Sequence, residues 1–525
     1  MESIVDTVVL LSIAVLGAAL ARRIGLLSPI VLLVVGLVLS FVPHFPEVQL
    51  DPELVLIGIL PPLLYVAALQ TSVPAFKFNL RPILLLAVGL VLFTAFAVGL
   101  AMHWLLPQVP LAACVALGAV VAPPDAVSAT AVARRIGLPR RVVTILEGES
   151  LLNDATALVT VRIGVSAAAF GTVGFLEIGE QAVLKAGGGL AVGLAAAVAA
   201  AWLHKRITEA MLEDAVSLLT PFVVVIVAER LHTSSIVAVV ISGLYLGHRI
   251  PTLLSPTSRL QMDAVWRLVT FLLEGLVFLL VGLQLRELVG DLETPWATTL
   301  RVTAVVFAVV VLTRFVWMYP ATYLARLVPR IRAREGTPSP AVPTVIAWAG
   351  MRGVVTLAAA LTLPLPGSDE FPGTYPRDLF VFIAFAVIVL TLIMQGTTLP
   401  LVARRLGVHQ NTTTEDALAE AGVQHAASRA ARERLDALAD GAPASVVERL
   451  RAIAEIRANL AWERLGSQDQ ETPSQAYGRL RRDMIAAERD VFRVARNEGR
   501  IPEEVLTRAQ RDLDLEESLL NRSDD

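Results

Sequence analysis

The chain has 525 residues, of which 55% are hydrophobic and 17% charged, with a mean hydropathy of +0.66. Soluble domains average about 25% charged residues, so this composition excludes an ordinary soluble protein and points to a membrane one. The net charge of −3 averages two unlike parts, because roughly −6 falls after Gln410 and the rest is mildly basic.

A membrane-crossing helix needs about 20 mostly apolar residues. Runs of that kind fall near 4–21, 27–43, 52–70, 80–106, 110–133, 142–166, 182–203, 214–230, 234–248, 264–285, 298–327, 341–364 and 377–403, about thirteen in all. The opening "MESIVD" carries acid where a cleavable signal would be positive, and no small-residue cleavage site follows. The first run is therefore expected to stay as a span. Basic residues alternate from loop to loop. Arg22 and Arg23, Lys77 and Arg81, Arg134 to Arg141, Lys205 and Arg206, Arg249 and Arg259, Arg326 to Arg334, and Arg404 and Arg405 share one side. The tally is roughly 18 against 5, which the positive-inside rule reads as an outside N-terminus and a cytoplasmic C-terminus. An odd number of spans agrees with that.

After about Gln410 the composition turns polar. "EDALAEAGVQHAASRAARERLDALAD" spaces its leucines for a helix, and "GAP" stops it. Further helices follow, broken by "GSQDQETPS" and by Gly499, so 410–525 reads as a cytoplasmic helical tail domain. Cys114 is the only cysteine, which leaves no intrachain disulfide and no cysteine metal cluster.

Within the apolar part, Asp125, Asp154, Glu274, Arg314 and Arg352 each fall near the centre of an expected span. An ionisable group at mid-bilayer costs about 2.5–3.5 kcal/mol even on insertion scales, so such groups face a bundle interior and mark ion or proton routes. In "EGESLLNDATALV" Glu149 and Asn153 are four residues apart and share a helix face; Ser150 and Asp154 share the adjacent one. Together they form a hard-oxygen cluster, suited to hard cations. Glu147 lies nearer the helix end.

Two runs look broken. In "VALGAVVAPPDAVSATAVA", Pro123 and Pro124 lack backbone donors and release carbonyls one turn earlier. In "VPTVIAWAGMRGVVTLAAAL", Gly350 and Gly353 flank Arg352. They are spans five and twelve, seven apart, which puts equivalent helices in opposite directions, as an inverted repeat requires. The fold class expected is an all-α polytopic membrane protein of about thirteen helices, with two discontinuous helices at its midplane.

"APPDAVSATAV", "EGESLLNDATALV", "RFVWMYP" and "WAGMRGVVTLA" together resemble the cation:proton antiporter-1 family of sodium/proton exchangers, and its bacterial branch most. The resemblance covers roughly 1–405 and implies an exchanger domain there. It implies that Asp154 is the main ion- and proton-binding carboxylate and that Asp125, with Ser150, also contacts the transported cation. It implies that Glu149 pairs with Arg314, that Arg352 marks the break of span twelve, and that Glu274 makes a structural pair. Asn153 stands where electrogenic relatives carry a second aspartate, so electroneutral one-for-one exchange is implied. This chain has Pro123, Pro124 and Asp125 where many members have a Thr-Asp-Pro run, so the threonine contact is missing.

The function this implies is exchange of Na⁺, or Li⁺ or K⁺, for H⁺ across the cell membrane; the resemblance also implies a homodimer, with the bilayer as environment and no nucleic acid as partner. No cofactor is called for, since no Gly-x-x-x-x-Gly-Lys-Ser/Thr run occurs. Two other readings stand beside it: transport or a channel for another ion, such as an organic anion held by Arg314 and Arg352, and a non-transporting sensor acting through the tail.

Overall fold

The computed structural model describes residues 2–43, 45, 50–171, 175–207, 209–368, 371, 373–408, 412–440, 442–463 and 472–524. The chain divides into two compact units, Met1–His409 and Gln410–Asp525. Among the described residues every regular element is helical, apart from one isolated bridge between Ser368 and Phe371.

In the first unit, α1 is Glu2–Ile24 and α2 is Ser28–Leu39. α3 is Leu54–Gln70 and α4 Leu80–Leu105, each with one π-helical turn. α5 is Leu111–Val121, α6 Ala126–Arg135 and α7 Arg140–Phe170. α8 is Phe175–His204, α9 Ala210–Arg230 and α10 Ser235–Leu253. α11 is Pro256–Leu283 and α12 Trp296–Tyr323. α13 is Ala341–Trp348, α14 Val354–Leu361 and α15 Arg377–Arg405. Among the described residues, nine helices are long and apolar enough to cross a membrane, and Ser28–Leu39, Leu54–Gln70 and Leu111–Val121 are shorter apolar helices.

Packing separates two layers. α4 to α7 and α12 to α15 supply most of one apolar cluster, together with α2 and the second half of α11. α3, α8, α9, α10 and the first half of α11 supply most of the other. α15 is the central helix, with 72% of its apolar window buried against 22% for α8. On the outer helices large apolar side chains such as Leu16, Val183 and Ile226 stay exposed, which suits contact with lipid. Small residues bring the helices close, because water does not drive their association in a bilayer. α2 and α11 cross at Gly36 and Gly282, where a Cβ on Gly36 would stand 2.4 Å from the Leu279 carbonyl oxygen.

The second unit is two helical pairs. α16 (Thr412–Leu438) and α17 (Ala444–Glu463) are joined by the Ser428 hydroxyl, which donates to the Ala454 carbonyl at 2.7 Å. α18 (Pro473–Asn497) starts with a capping box made by Thr472 and Gln475. It is tied to α19 (Glu503–Asp524) by Arg481, which donates to both Glu516 oxygens at 2.6 and 2.7 Å. Those hydrogen bonds hold the Glu516 carboxyl below its ordinary range.

Candidate functional site

The first break in the fold follows from backbone chemistry. Pro123 and Pro124 have no N–H to continue α5, so the helix ends at Val121 and the chain runs extended at Asp125. Asp125 then caps α6, its Oδ2 accepting from the Ser128 N–H at 2.8 Å. Its own N–H donates to the carbonyl of Met351 at 2.7 Å, within the second break. The Asn153 amide Nδ2 donates to the Pro124 carbonyl at 2.9 Å and so ties α7 to the first break.

The second break, between α13 and α14, is held open by neighbours. Arg314 of α12 donates from Nε to the Ala347 carbonyl at 3.3 Å and from Nη2 to that of Ile346 at 3.1 Å. A cation at the C-terminal end of α13 is where the helix dipole favours one. The same guanidinium grips Glu149 of α7 in a fork, Nη1 to Oε1 at 2.7 Å and Nη2 to Oε2 at 3.2 Å. Both side chains are about 1% exposed, so this is a fully desolvated ion pair. The two glycines make room for these contacts. A Cβ on Gly350 would lie 2.5 Å from Arg314 Cδ, and one on Gly353 would lie 2.6 Å from Asp125 Cγ.

Arg352 is 0% exposed, and its three side-chain nitrogens have no hydrogen-bond partner among the described residues. Its backbone N–H donates to the Thr391 hydroxyl of α15 at 3.0 Å. Electrostatically it faces Arg314 and Glu149. Asp154 and Glu274 instead lie within electrostatic reach of Asp125. The charges therefore fall into two groups, a basic one around Arg314 and Arg352 and an acidic one around Asp125.

Asp154 is 6% exposed and takes no hydrogen bond or ion pair among the described residues. Ser150 spends its hydroxyl proton on the Leu146 carbonyl at 3.0 Å, leaving only lone pairs to offer. The buried Asn153 Oδ1 has no hydrogen-bond partner among the described residues. Glu147 is not part of the site; it pairs with Arg134 at 2.7 Å. Glu274 makes no ion pair among the described residues, so the structural pair expected for it is absent there: no base of the described residues approaches within pairing distance. Sequence reasoning missed Thr391, whose one signal is a hydroxyl in the apolar run "VIVLTLIM". Among the described residues no three His, Cys, Asp or Glu side chains gather as a resident metal site.

The profile described as sodium/hydrogen exchanger, transmembrane, matches residues 10–405, which spans both breaks and every side chain above. The chain belongs to the sodium/hydrogen exchanger family. It is a transporter family and not an enzyme family. The exchanger is 35% identical over 547 residues to an uncharacterized Na⁺/H⁺ exchanger of Mycobacterium tuberculosis, covering 99% of this chain and 97% of the relative. It is 28% identical to the sodium, potassium, lithium and rubidium/H⁺ antiporter of Bacillus pumilus, over 84% of this chain and 66% of that one. The fold of the exchanger resembles that of the sodium proton antiporter MjNhaP1 from Methanocaldococcus jannaschii, with a TM-score of 0.64 at 19% identity, covering 77% of this chain and 98% of that one. Cation/proton antiport across a membrane is the activity this membership supports.

Proposed function

We propose that the exchanger moves a monovalent cation one-for-one against a proton, with Asp154 holding each in turn. The observation that carries this is the state of Asp154: a buried carboxylate in mid-helix, with no hydrogen bond or ion pair among the described residues. Glu149, five residues earlier, has its charge answered by Arg314. An unanswered carboxylate in low dielectric must take up a proton or a cation, and competition for one site makes the exchange obligatory. Asp125 and the lone pairs of Ser150 supply further oxygens, and Asn153 Oδ1 is an unused acceptor beside them. With Asn153 neutral, one carboxylate turns over per cycle, and the exchange is electroneutral.

The cation is Na⁺, with Li⁺ and K⁺ as alternatives; the name of the Bacillus pumilus relative, which includes potassium and lithium, supports keeping all three. In this reading residues 1–405 are the exchanger domain, with about thirteen spans. Spans five and twelve are discontinuous, and the hydrogen bond between Asp125 and Met351 supports their crossing as equivalent parts of an inverted repeat. The residues 410–525 form a cytoplasmic tail, the N-terminus lies outside, and family resemblance extends the reading to a homodimer.

In everted vesicles with a preset pH gradient, addition of Na⁺, Li⁺ or K⁺ should collapse the gradient, and Asp154→Asn should abolish the response. Silence to all three ions in folded wild-type protein sinks the proposal.

A further inference from the structure

At the base-rich end of the first unit, a cavity of about 170 Å³ opens among the starts of α4 and α7, the end of α12 and the start of α13. Its walls are largely apolar, with Leu85, Val142, Met318 and Ile346 among them. Three arginines, Arg81, Arg141 and Arg326, also line it. The acid that answers them is Glu335, at 3.5 Å from Arg81, 3.8 Å from Arg141 and 3.1 Å from Arg326. One carboxylate against three guanidiniums leaves the cavity strongly positive.

Two of these arginines are fixed in place. Arg141 donates to Asn79 Oδ1 at 3.0 Å and to the Glu335 carbonyl at 2.6 Å; Arg326 donates to the Gly336 carbonyl at 2.7 Å. Arg81 is different. Its Nε and Nη1 are sealed from solvent and make no hydrogen bond among the described residues, and Nη1 has only the long 3.5 Å ion-pair contact with Glu335. Guanidinium donors cut off from water without a hydrogen bond are costly, and an anion that brings several oxygens would meet the deficit. Phosphate oxygens match the guanidinium fork. A free phosphate would leave the apolar walls uncovered, whereas a phospholipid covers them with its glycerol and upper acyl carbons. Basic pockets between membrane helices on the cytoplasmic side suit anionic head groups, and the orientation proposed above puts this cavity on that side.

The geometry points to a binding site here for the phosphate head group of an anionic phospholipid, held by Arg81, Arg141 and Arg326, with Glu335 as a competing internal anion. The site sits on the helices that carry Glu149 and Arg314, so an occupant clamps the ends of α7, α12 and α13 together.

The test is native mass spectrometry of the full chain in detergent, titrated separately with phosphatidylglycerol, phosphatidylcholine and inorganic phosphate. Phosphatidylglycerol should be retained in preference to phosphatidylcholine. Arg81→Gln should weaken that retention about tenfold, the worth of one charge-assisted hydrogen bond. Glu335→Gln should strengthen it, because the internal competitor is gone. Equal retention of both lipids, or no response to Arg81→Gln, overturns the site. Phosphate displacing phosphatidylglycerol at equal concentration overturns the lipid assignment. If Arg81→Gln fails to fold, the lipid comparison on wild type and the gain in Glu335→Gln still decide. Binding is read without transport, so failure here leaves the antiport proposal standing.

Discussion

Removing the Glu149 carboxylate should destabilise the exchanger more than it retunes it. In Glu149→Ala, Arg314 remains about 1% exposed, and two of its donors lose their acceptor oxygens. Only the Ala347 and Ile346 carbonyls, at 3.3 and 3.1 Å, still receive hydrogen bonds from it. Breaking one side of a buried ion pair costs about 3–5 kcal/mol, because the stranded charge keeps its desolvation penalty. In a heat challenge followed by size-exclusion, that corresponds to a melting point lower by roughly 5–10 °C. Arg314→Met should behave alike, since it strands Glu149. The double variant Glu149→Leu/Arg314→Met should recover most of the loss, as replacing both charges by apolar groups is near neutral. A single variant that melts with wild type would refute the reasoning. A single variant that is fully stable yet inactive would move Glu149 into the ion route.

Gly353→Ala should cut transport by at least about tenfold. Its Cβ would stand 2.7 Å from Asp125 Cβ, which cannot retreat while the Asp125 N–H stays bonded to Met351; vesicle transport at wild-type rate would contradict this. Asn153→Asp should lose the donor to the Pro124 carbonyl, costing about 1–3 kcal/mol. It should also make transport sensitive to membrane potential, measured with and without a potassium-valinomycin clamp; the same rate under both would count against Asn153 setting stoichiometry. In the tail, the Glu516 carboxyl is held low by Arg481, so its stabilising effect is present at neutral pH and lost as pH falls through the folded value. The protection factors of the α18 and α19 amides, corrected for the intrinsic pH dependence of exchange, should therefore fall as pH drops below the ordinary glutamate range, and Arg481→Gln should remove that dependence. Protection unchanged down to about pH 3 in wild type would contradict the sign.

Much of the local structure was legible along the chain. Apolar runs mark helices wherever about 20 residues must satisfy their own backbone, and Pro123 with Pro124 forces an end to α5 wherever it packs. The 3.6-residue period alone separates the face of Glu149 from that of Asp154. Hydropathy alone reads 110–133 as one run, and it is the two prolines that divide it into Leu111–Val121 and Ala126–Arg135.

Partnership was a different matter, since it depends on residues far apart in the chain. Arg314 lies 165 residues from Glu149, and resemblance rather than spacing nominated the pair. Nothing in the sequence says that Asn153 points its amide at a carbonyl freed by Pro124, or that Met351 meets the Asp125 N–H. Nor does it say that Glu274 meets no base among the described residues while Glu335 gathers three arginines. By itself the sequence determined where charge enters the membrane and where helices must stop, because both follow from local chemistry. Only the tertiary structure decided which charges are answered, because desolvation and ion pairing act across the bundle and not along the chain.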